Sequence, residues 1–335
     1  MDLRFRVVLL CGCFLTVVAP FGCTTKQEQP KEIAALNPED HKKFDEMQNE
    51  MEIGRSMAGR MLQYYGRYDD EKLIGYINQV GNYVASYGDY PDRRYMFDII
   101  DSDIVNAFAC PGGYILVTKG AIRNARNEAE LAMILGHETV HVGKKHMYST
   151  LKNMSKEDLD KAAAEADKKL NLPDELKVRA RPKPEESAGG ALVARYLSGS
   201  AAGLNVLAAS KAGMSVILDK GLGSELENEA DAEGVKYGVR AGYDPTALID
   251  YLCRLEESKG GAESKGKGKC AIKAKSGAKS TILEKTHPPV KERIDHINRM
   301  LANMKANEIV GAVGAARFEK YSSKLPAAKK TKTEE

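Results

Sequence analysis

Residues 137–141 read HETVH, within the segment NEAELAMILGHETVHVG at 127–143. Residues four apart in an α-helix share one face, so His137 and His141 would project together, about 6 Å apart along the axis. Two neutral imidazoles in that arrangement can bind one Zn²⁺, and Glu138 beside them can act as general base for a metal-activated water. The segment therefore predicts a helix that carries two metal ligands and a proton acceptor.

A catalytic zinc needs a third protein ligand and an open position for water. A third histidine in the pattern HExxHxxGxxH is excluded, because Lys144 and Met147 occupy the required positions. His146 is one residue out of register for that role. We therefore predict that His146 is either a surface histidine or one that supports a metal ligand from behind.

The segment SELENEAD at 224–231 offers a carboxylate instead. On a helix, Glu229 falls on the charged stripe, whereas Glu227 and Asp231 lie on the opposite side among small residues that permit close helix packing. A carboxylate on a packed face needs a partner. We predict that Glu227 is the third ligand and that Asp231 accepts a hydrogen bond from the far nitrogen of His137. An ordinary exposed, glutamate-rich helix is the alternative.

The remaining pattern is mainly helical, with one β-rich patch. Apolar residues recur at helical spacing at 47–64 and 71–87. Short strands are predicted at 95–100, 107–109 and 114–118, the last of these a β-branched run. The predicted fold class is therefore α+β and mainly helical.

Composition excludes two classes of protein. Beyond the first two dozen residues the chain has no long uncharged apolar run, which excludes a multi-span membrane protein. The net charge of +3 on 335 residues is too small to suggest a nucleic-acid binder. We therefore expect no nucleic acid among the partners.

The amino terminus predicts export. Two arginines precede an apolar run at 7–21, as in a signal peptide. The run ends in Gly22 and Cys23, which resembles a bacterial lipoprotein signal in which residues 1–22 are removed and Cys23 is lipidated. Thr24 after the cysteine favours the outer membrane over the inner one. A plain secretory signal or an uncleaved anchor is the alternative.

The mature chain divides into a globular domain and two polar ends. Residues 23–45 predict a flexible tether, 46–321 the domain, and 322–335 a disordered tail. Two charged stretches, at about 155–187 and 256–279, are predicted insertions. The second is rich in glycine and lysine and predicts a mobile surface loop.

Together these motifs resemble the HtpX-like and CAAX-prenyl-endopeptidase-like zinc metallopeptidases, gluzincins that combine HExxH with ExxxD. Further similar stretches are NAFACPGG at 106–113, GYDP at 242–245 and THPP at 286–289. The resemblance implies a zincin-like domain with an HExxH helix, an ExxxD helix and a short sheet with a substrate-binding edge strand. It also implies one zinc ion per chain and endopeptidase action. Between the two zinc motifs, the uncharged stretch that separates Arg195 from Lys211 has 15 residues and is too short and polar to span a bilayer, which points to the family's soluble, lipid-tethered branch.

The resemblance also implies a substrate site. The substrate is expected to pair as an added strand along 114–118. The expected substrate contacts are Asn106, Gly113, Tyr114, Ile115 and Leu116. The family motif places His287 near the zinc, where it would bind the oxyanion or occupy the open position until substrate arrives. A turn residue held before two prolines is the equally weighted alternative.

Three cysteines of the mature chain need an explanation. Cys253 and Cys270 would close a loop of 17 residues, and the oxidising periplasm makes this a candidate disulfide, with free thiols equally open. Cys110 stands where the resembled family has an apolar residue. It is expected to be a buried small side chain, and an inhibitory thiol near the zinc is the alternative.

The predicted function is a zinc-dependent endopeptidase on the periplasmic side of the bacterial cell envelope. The expected substrates are misfolded or unassembled envelope polypeptides, and the membrane is reached through the lipid anchor. One rival is a chaperone-like or assembly lipoprotein with latent proteolysis, against which the intact Glu138 argues. A purely structural zinc is disfavoured, because structural sites are usually closed by a fourth protein ligand.

Overall fold

The computed structural model describes residues 37–170, 206–258, 260–273, 287–306 and 309–328. The predicted signal peptide, the candidate lipidation site Cys23 and residues 23–36 of the predicted tether lie outside these ranges. No helix within them is long and apolar enough to cross a membrane.

The described chain is mainly helical with a small sheet, which confirms the predicted fold class. The helices are α1 (Pro38–Tyr65), α2 (Glu71–Ala85), α3 (Lys119–Asn124), α4 (Glu128–Gly143), α5 (His146–Asn153), α6 (Lys156–Leu170), α7 (Val206–Ser215), α8 (Ser224–Arg240), α9 (Ala247–Glu257), α10 (Val290–Asn303) and α11 (Ala315–Ser322). The strands are β1 (Met96–Ile100), β2 (Ala107–Cys110), β3 (Tyr114–Thr118), β4 (Ala262–Ser264) and β5 (Cys270–Ile272). A π-helical turn, Val216–Lys220, continues α7. Helix α1 begins at Pro38, so residues 38–45 of the predicted tether are helical.

The main sheet has the strand order β1-β3-β2, with β1 parallel and β2 antiparallel to the central β3. Ile115 pairs with Phe97 on one side and with Ala109 on the other. The prediction that substrate adds to 114–118 is therefore wrong, because both edges of β3 are already hydrogen-bonded. This removes Tyr114, Ile115 and Leu116 as an edge for substrate, whereas Gly113 lies in the turn before β3 and its predicted contact is not tested by the pairing. Strand β2 lies at the edge of the sheet.

Helices α4 and α8 cross with their backbones in contact. A Cβ atom added to Gly234 would lie 2.7 Å from the backbone nitrogen of His137, and one added to Gly136 would lie 2.9 Å from the carbonyl oxygen of Gly234. Only glycine permits so close an approach. The crossing places the HExxH and ExxxD motifs face to face, as the small residues of 224–240 predict.

The first turn of α4 is held by a buried charge. Glu128 is fully buried and accepts hydrogen bonds from the hydroxyls of Tyr76, at 2.7 Å, and Tyr243, at 2.8 Å. Its carboxylate also pairs with Arg317 of α11. Burial acts to raise the pKa of Glu128, but the bonds to Arg317 and the tyrosines lower it below the ordinary range. The ion pair therefore attaches α11 to the start of the active-site helix.

The first predicted insertion begins with a helix that belongs to the core. Leu159, Ala162 and Ala166 recur at helical spacing on α6, are buried, and pack against the small residues of α7. The Ser155 hydroxyl accepts from the backbone N–H of Asp158, at 3.1 Å, and caps the helix. Residues 171–187 lie outside the described ranges.

The second predicted insertion contains an antiparallel hairpin, β4–β5, where the sequence predicts a mobile loop. Cys270 of β5 forms a disulfide with Cys253 of α9. The short strands bury little apolar surface, so the hairpin depends on the disulfide rather than on apolar packing for its stability. Residues 274–279 lie outside the described ranges.

Replacing both Cys253 and Cys270 by alanine is expected to lower the free energy of unfolding by about 3 kcal/mol, because the unfolded chain loses a closed loop of 17 residues. Urea denaturation of both proteins, with and without reductant, measures the loss. Reduced wild type should then match the double variant. Equal urea midpoints for oxidised wild type and the double variant would contradict this.

Candidate active site

Three buried side chains from α4 and α8 converge on one point. The Nε2 atoms of His137 and His141 lie 3.1 Å apart. A Glu227 carboxylate oxygen lies 3.5 Å from Nε2 of His137, and the other lies 3.6 Å from Nε2 of His141. The side chains of all three residues are at most 4% exposed. The predicted ligand set is thus brought together in a protected position.

Two of these three spacings fall in the range that a zinc site requires, and the His137–His141 spacing of 3.1 Å lies just below it. Zinc binds histidine nitrogen and carboxylate oxygen at about 2.0–2.2 Å, and a tetrahedral site then separates neighbouring ligand atoms by about 3.3–3.6 Å. Two imidazoles and one carboxylate are also a donor set that zinc accepts in catalytic sites. The residues present therefore fit the metal that the motif implies.

The charges around this point favour a cation. Burial acts to lower the pKa of His137, but hydrogen bonds to Asp231 and Glu227 raise it to about 10. Burial also acts to raise the pKa of Glu227, yet nearby His287 and His141 hold it well below its usual range. The carboxylates of Asp231 and Glu227 thus favour a positive charge at His137, and a bound divalent metal ion would supply one at this point.

An aspartate and an arginine support His137. Asp231 Oδ1 lies 2.9 Å from Nδ1 of His137, so the carboxylate orients the ring with Nε2 toward the other ligands. Arg293 of α10 donates to both Asp231 oxygens, from Nε at 2.8 Å and from Nη2 at 2.6 Å. Both are buried, and Arg293 keeps the pKa of Asp231 far below its usual value, although burial acts to raise it.

Sequence reasoning missed Arg293. The signal is its register on α10: it lies three residues after Val290 and four before Ile297, on the face that packs into the core. A cation on a buried face requires a buried acid. Asp231, which the sequence places on a packed face, is the matching partner.

His146 supports His141 in the same way and is not a surface residue. It is 4% exposed, and its Nδ1 lies 2.9 Å from Nδ1 of His141. Its Nε2 lies 3.1 Å from a carboxylate oxygen of Glu229, which also pairs with Lys144 at 2.6 Å. With Nε2 of His141 turned to a metal, its Nδ1 proton points at His146, which in turn donates to Glu229. Helical periodicity predicts Glu229 on the solvent face, and its contacts with His146 and Lys144 are not visible from the sequence.

We expect His146→Phe to weaken zinc binding by about 10–100-fold, because Nδ1–H of His141 loses its acceptor and the ring is no longer oriented. His146→Asn, whose side-chain oxygen can replace Nδ1 as acceptor, should recover much of the affinity. Competition with a chromogenic chelator measures it, and absorption of the Co²⁺-loaded proteins reports ligand geometry. Equal losses in both variants would mean that His146 only fills space.

Glu138 lies beside the ligands, on the cleft side of α4. It is 5% exposed and lines two cavities together with Asn106 and His287. Burial raises its pKa above the ordinary glutamate value. A carboxylate whose charged form is poorly solvated is a stronger proton acceptor than an exposed one.

His287 lies against the ligands rather than in a remote turn. Its Nδ1 contacts the Glu227 carboxylate, and its ring centre lies 5.8 Å from that of His137. His137, Glu227 and His287 each offer a ligand atom within 4.8 Å of the others. The side chain of His287 is 13% exposed, so it lines the cleft at the open side of the cluster.

The free edge of the sheet runs along the same cleft. Thr118 N donates to the Asn106 carbonyl, so in the β2–β3 ladder the backbone groups of Ala107 and Ala109 point away from β3. The Asn106 side-chain oxygen accepts from Ala107 N at 2.9 Å. Its Nδ2 is buried without a hydrogen-bond partner among the described residues. The strand edge near the cluster is therefore β2, and Asn106, the residue before β2, is the one predicted substrate contact beside that edge.

Cys110, at the end of β2, is buried with a free thiol. Burial raises its pKa to about 12, with the Glu138 carboxylate adding to the effect. A neutral thiol is a poor zinc ligand, because metals bind the thiolate. Its environment matches the expectation of a buried small side chain.

Comparison with known proteins adds to this geometry. The sequence model of peptidase family M48 matches residues 71–301 of this chain. The chain is 28% identical to the beta-barrel assembly-enhancing protease of Escherichia coli (strain K12) over 216 residues, which cover 61% of this chain and 38% of that protein. It is 26% identical to the Yersinia pestis protein of the same name over 211 residues, 62% of this chain and 38% of that one. A 49-residue stretch is 37% identical to the mitochondrial metalloendopeptidase OMA1 of Arabidopsis thaliana, 15% of this chain and 10% of that protein. The chain thus matches well under half the length of the bacterial relatives.

Proposed function

The chain belongs to peptidase family M48, and on this premise we propose that it is a zinc-dependent endopeptidase of the bacterial cell envelope. The observation that carries the proposal is the buried convergence of His137, His141 and Glu227 beside Glu138. The first three residues would hold one zinc ion per chain. A structural role alone is disfavoured, since these three leave a position open toward the cleft.

Each side chain then has a task in hydrolysis. When bound, zinc supplies polarisation of the scissile carbonyl and a lowered pKa for water. Glu138 accepts the proton of the attacking water and passes it to the leaving amine, a transfer that its raised pKa favours. Asp231 and His146 keep the two imidazoles oriented throughout.

His287 has two candidate roles, which predict opposite effects of its removal on activity. As an oxyanion donor it would stabilise the developing charge, and His287→Ala would lower activity. As a gate it would occupy the open position through its contact with Glu227, and the same variant would raise activity. Steady-state rates of His287→Ala on one unfolded substrate decide between them.

The substrates we propose are polypeptides in extended form. A segment added to β2 would pair with the backbone of Ala107 and Ala109, and Nδ2 of Asn106 would donate to it. Such pairing requires an unfolded or unassembled segment, because a folded protein rarely presents a free strand. The name of the Escherichia coli relative, a beta-barrel assembly-enhancing protease, supports envelope proteins as the class.

We further propose that the protein is exported and lipid-anchored through Cys23, at the outer membrane rather than the inner one. The motif at 1–23 supports this. Labelling cells with a radioactive fatty acid tests it. Wild type should carry the label and fractionate with the outer membrane, whereas Cys23→Ala should be unlabelled.

Removal of the metal tests the enzymatic proposal. Zinc-loaded protein should cleave an unfolded outer-membrane barrel protein but leave the folded form intact, and a chelator should abolish cleavage reversibly. The rival function, a chaperone-like or assembly lipoprotein, predicts suppressed aggregation of the unfolded protein without cleavage. Cleavage that persists after the zinc has been removed would contradict the metallopeptidase proposal.

A further inference from the structure

Two apolar cavities flank the predicted proton acceptor. Each has a cavity volume of about 40 Å³, and both are lined by Asn106, Ala107, Glu138 and His287. Beyond these shared residues they extend in different directions. The cleft therefore has a compartment on each side of the Glu138–His287 pair.

The first compartment, here the α9 cavity, is walled by one face of α9. Leu248, Leu252 and Leu255 line it, opposite Ile134 of the active-site helix. Arg293 also reaches this cavity, but Asp231 neutralises its charge through two hydrogen bonds. Apart from the catalytic and metal-site groups, the α9 cavity thus offers apolar contact to a substrate side chain.

The second compartment, here the π-turn cavity, is walled by the π-helical turn after α7. Val216, Ile217, Leu222 and Met147 line it. His141 and Glu227, the two metal-site residues that reach it, already contact each other. This compartment too is apolar apart from the catalytic groups.

A strand paired with β2 would cross both compartments. It would lie along Ala107 and Ala109, with its scissile bond opposite Glu138, so the residues before and after that bond face different cavities. Beyond the reach of Glu138 and His287, a charged side chain among the apolar residues of either cavity would lose its water without gaining a partner, which is costly. An apolar side chain would be favoured in both.

We propose that this endopeptidase selects segments with an apolar residue on each side of the scissile bond, one held in the α9 cavity and the other in the π-turn cavity. The inference rests on the proposed proteolytic function and defines its substrate class. Two apolar residues next to each other are normally buried in a folded protein. Filling both cavities would therefore require an unfolded substrate, as strand pairing with β2 also does.

Mapping of cleavage sites tests the proposal. Zinc-loaded full-length protein is incubated with a denatured, reduced protein mixture, and the new termini are identified by mass spectrometry. Apolar residues should be enriched by about tenfold or more within two positions on both sides of the cut, relative to charged residues. Cleavage that accepts charged residues equally on either side would overturn the inference but leave the proteolytic function intact.

Two variants assign the cavities. Leu252→Phe narrows the α9 cavity and should shift the preference to smaller residues on one side of the cut only. Ile217→Phe narrows the π-turn cavity and should do so on the opposite side. Leu207→Phe, an exposed leucine on α7, is the matched control. Shifts on the same side in both variants would overturn the assignment, and the wild-type profile decides if a variant fails to fold. No cleavage by zinc-loaded wild type would contradict the proposed function itself, and this inference with it.

Discussion

Glu138→Gln is expected to lower kcat/KM on an unfolded polypeptide by about 10²–10⁴-fold while the protein keeps its zinc. Glutamine has nearly the same shape as glutamate and should keep the local packing, but its amide cannot accept a proton from water. The metal ligands His137, His141 and Glu227 are unchanged. The variant therefore separates proton transfer from metal binding.

Zinc content by atomic absorption and cleavage of denatured casein are the two measurements. Glu225→Gln, an exposed glutamate on α8, is the matched control and should behave as wild type. If Glu138→Gln retains zinc and cleaves as fast as wild type, Glu138 is not the proton acceptor. If it loses zinc, the change has acted on the ligands and the assignment needs Glu138→Asp as a second variant.

Arg293→Met is expected to lower the free energy of unfolding of the zinc-loaded protein by about 3–5 kcal/mol, since it leaves the buried carboxylate of Asp231 without its cation. The two residues share two hydrogen bonds, and both are buried. Zinc affinity should fall as well, because Asp231 also orients His137.

Urea denaturation with a matched control gives this prediction a clear outcome. Arg299→Met removes an exposed arginine from the same helix and should change the unfolding free energy by less than about 0.5 kcal/mol. The double variant Arg293→Met/Asp231→Leu removes both charges and should recover part of the lost stability, though not the zinc affinity. Equal stability of Arg293→Met and wild type would mean that the ion pair adds nothing.

The zinc-site residues were predictable because their signals are local. HExxH and ExxxD each lie within one helix, so helical periodicity alone orients His137, His141 and Glu227. The small residues on the Glu227 face also predict that the two helices approach closely. Periodicity does not extend to the partner of Asp231, because Arg293 lies 62 residues further along and an arginine usually reads as exposed.

The substrate edge was not predictable, because strand order depends on pairing between distant segments. The β-branched run at 114–118 was correctly identified as a strand. Yet such a run is typical of a strand buried on both faces, and β3 is indeed central. The strand β2, with the sequence AFAC and no β-branched residue, forms the edge. The hairpin at 262–272 was missed for a different reason: its composition is that of a loop, and a disulfide holds it.

The ion pair between Glu128 and Arg317 has a consequence for the order of events during synthesis. Glu128, the first residue of the active-site helix, is synthesised 189 residues before Arg317, which neutralises its charge. Before Arg317 emerges, the partners of Glu128 among the described residues are the hydroxyls of Tyr76 and, once it has been made, Tyr243. The catalytic helix thus reaches its final surroundings only after residue 317 has been translated. A nascent fragment that ends before Arg317 carries the complete HExxH motif but lacks the ion pair that attaches α11 to the start of that helix.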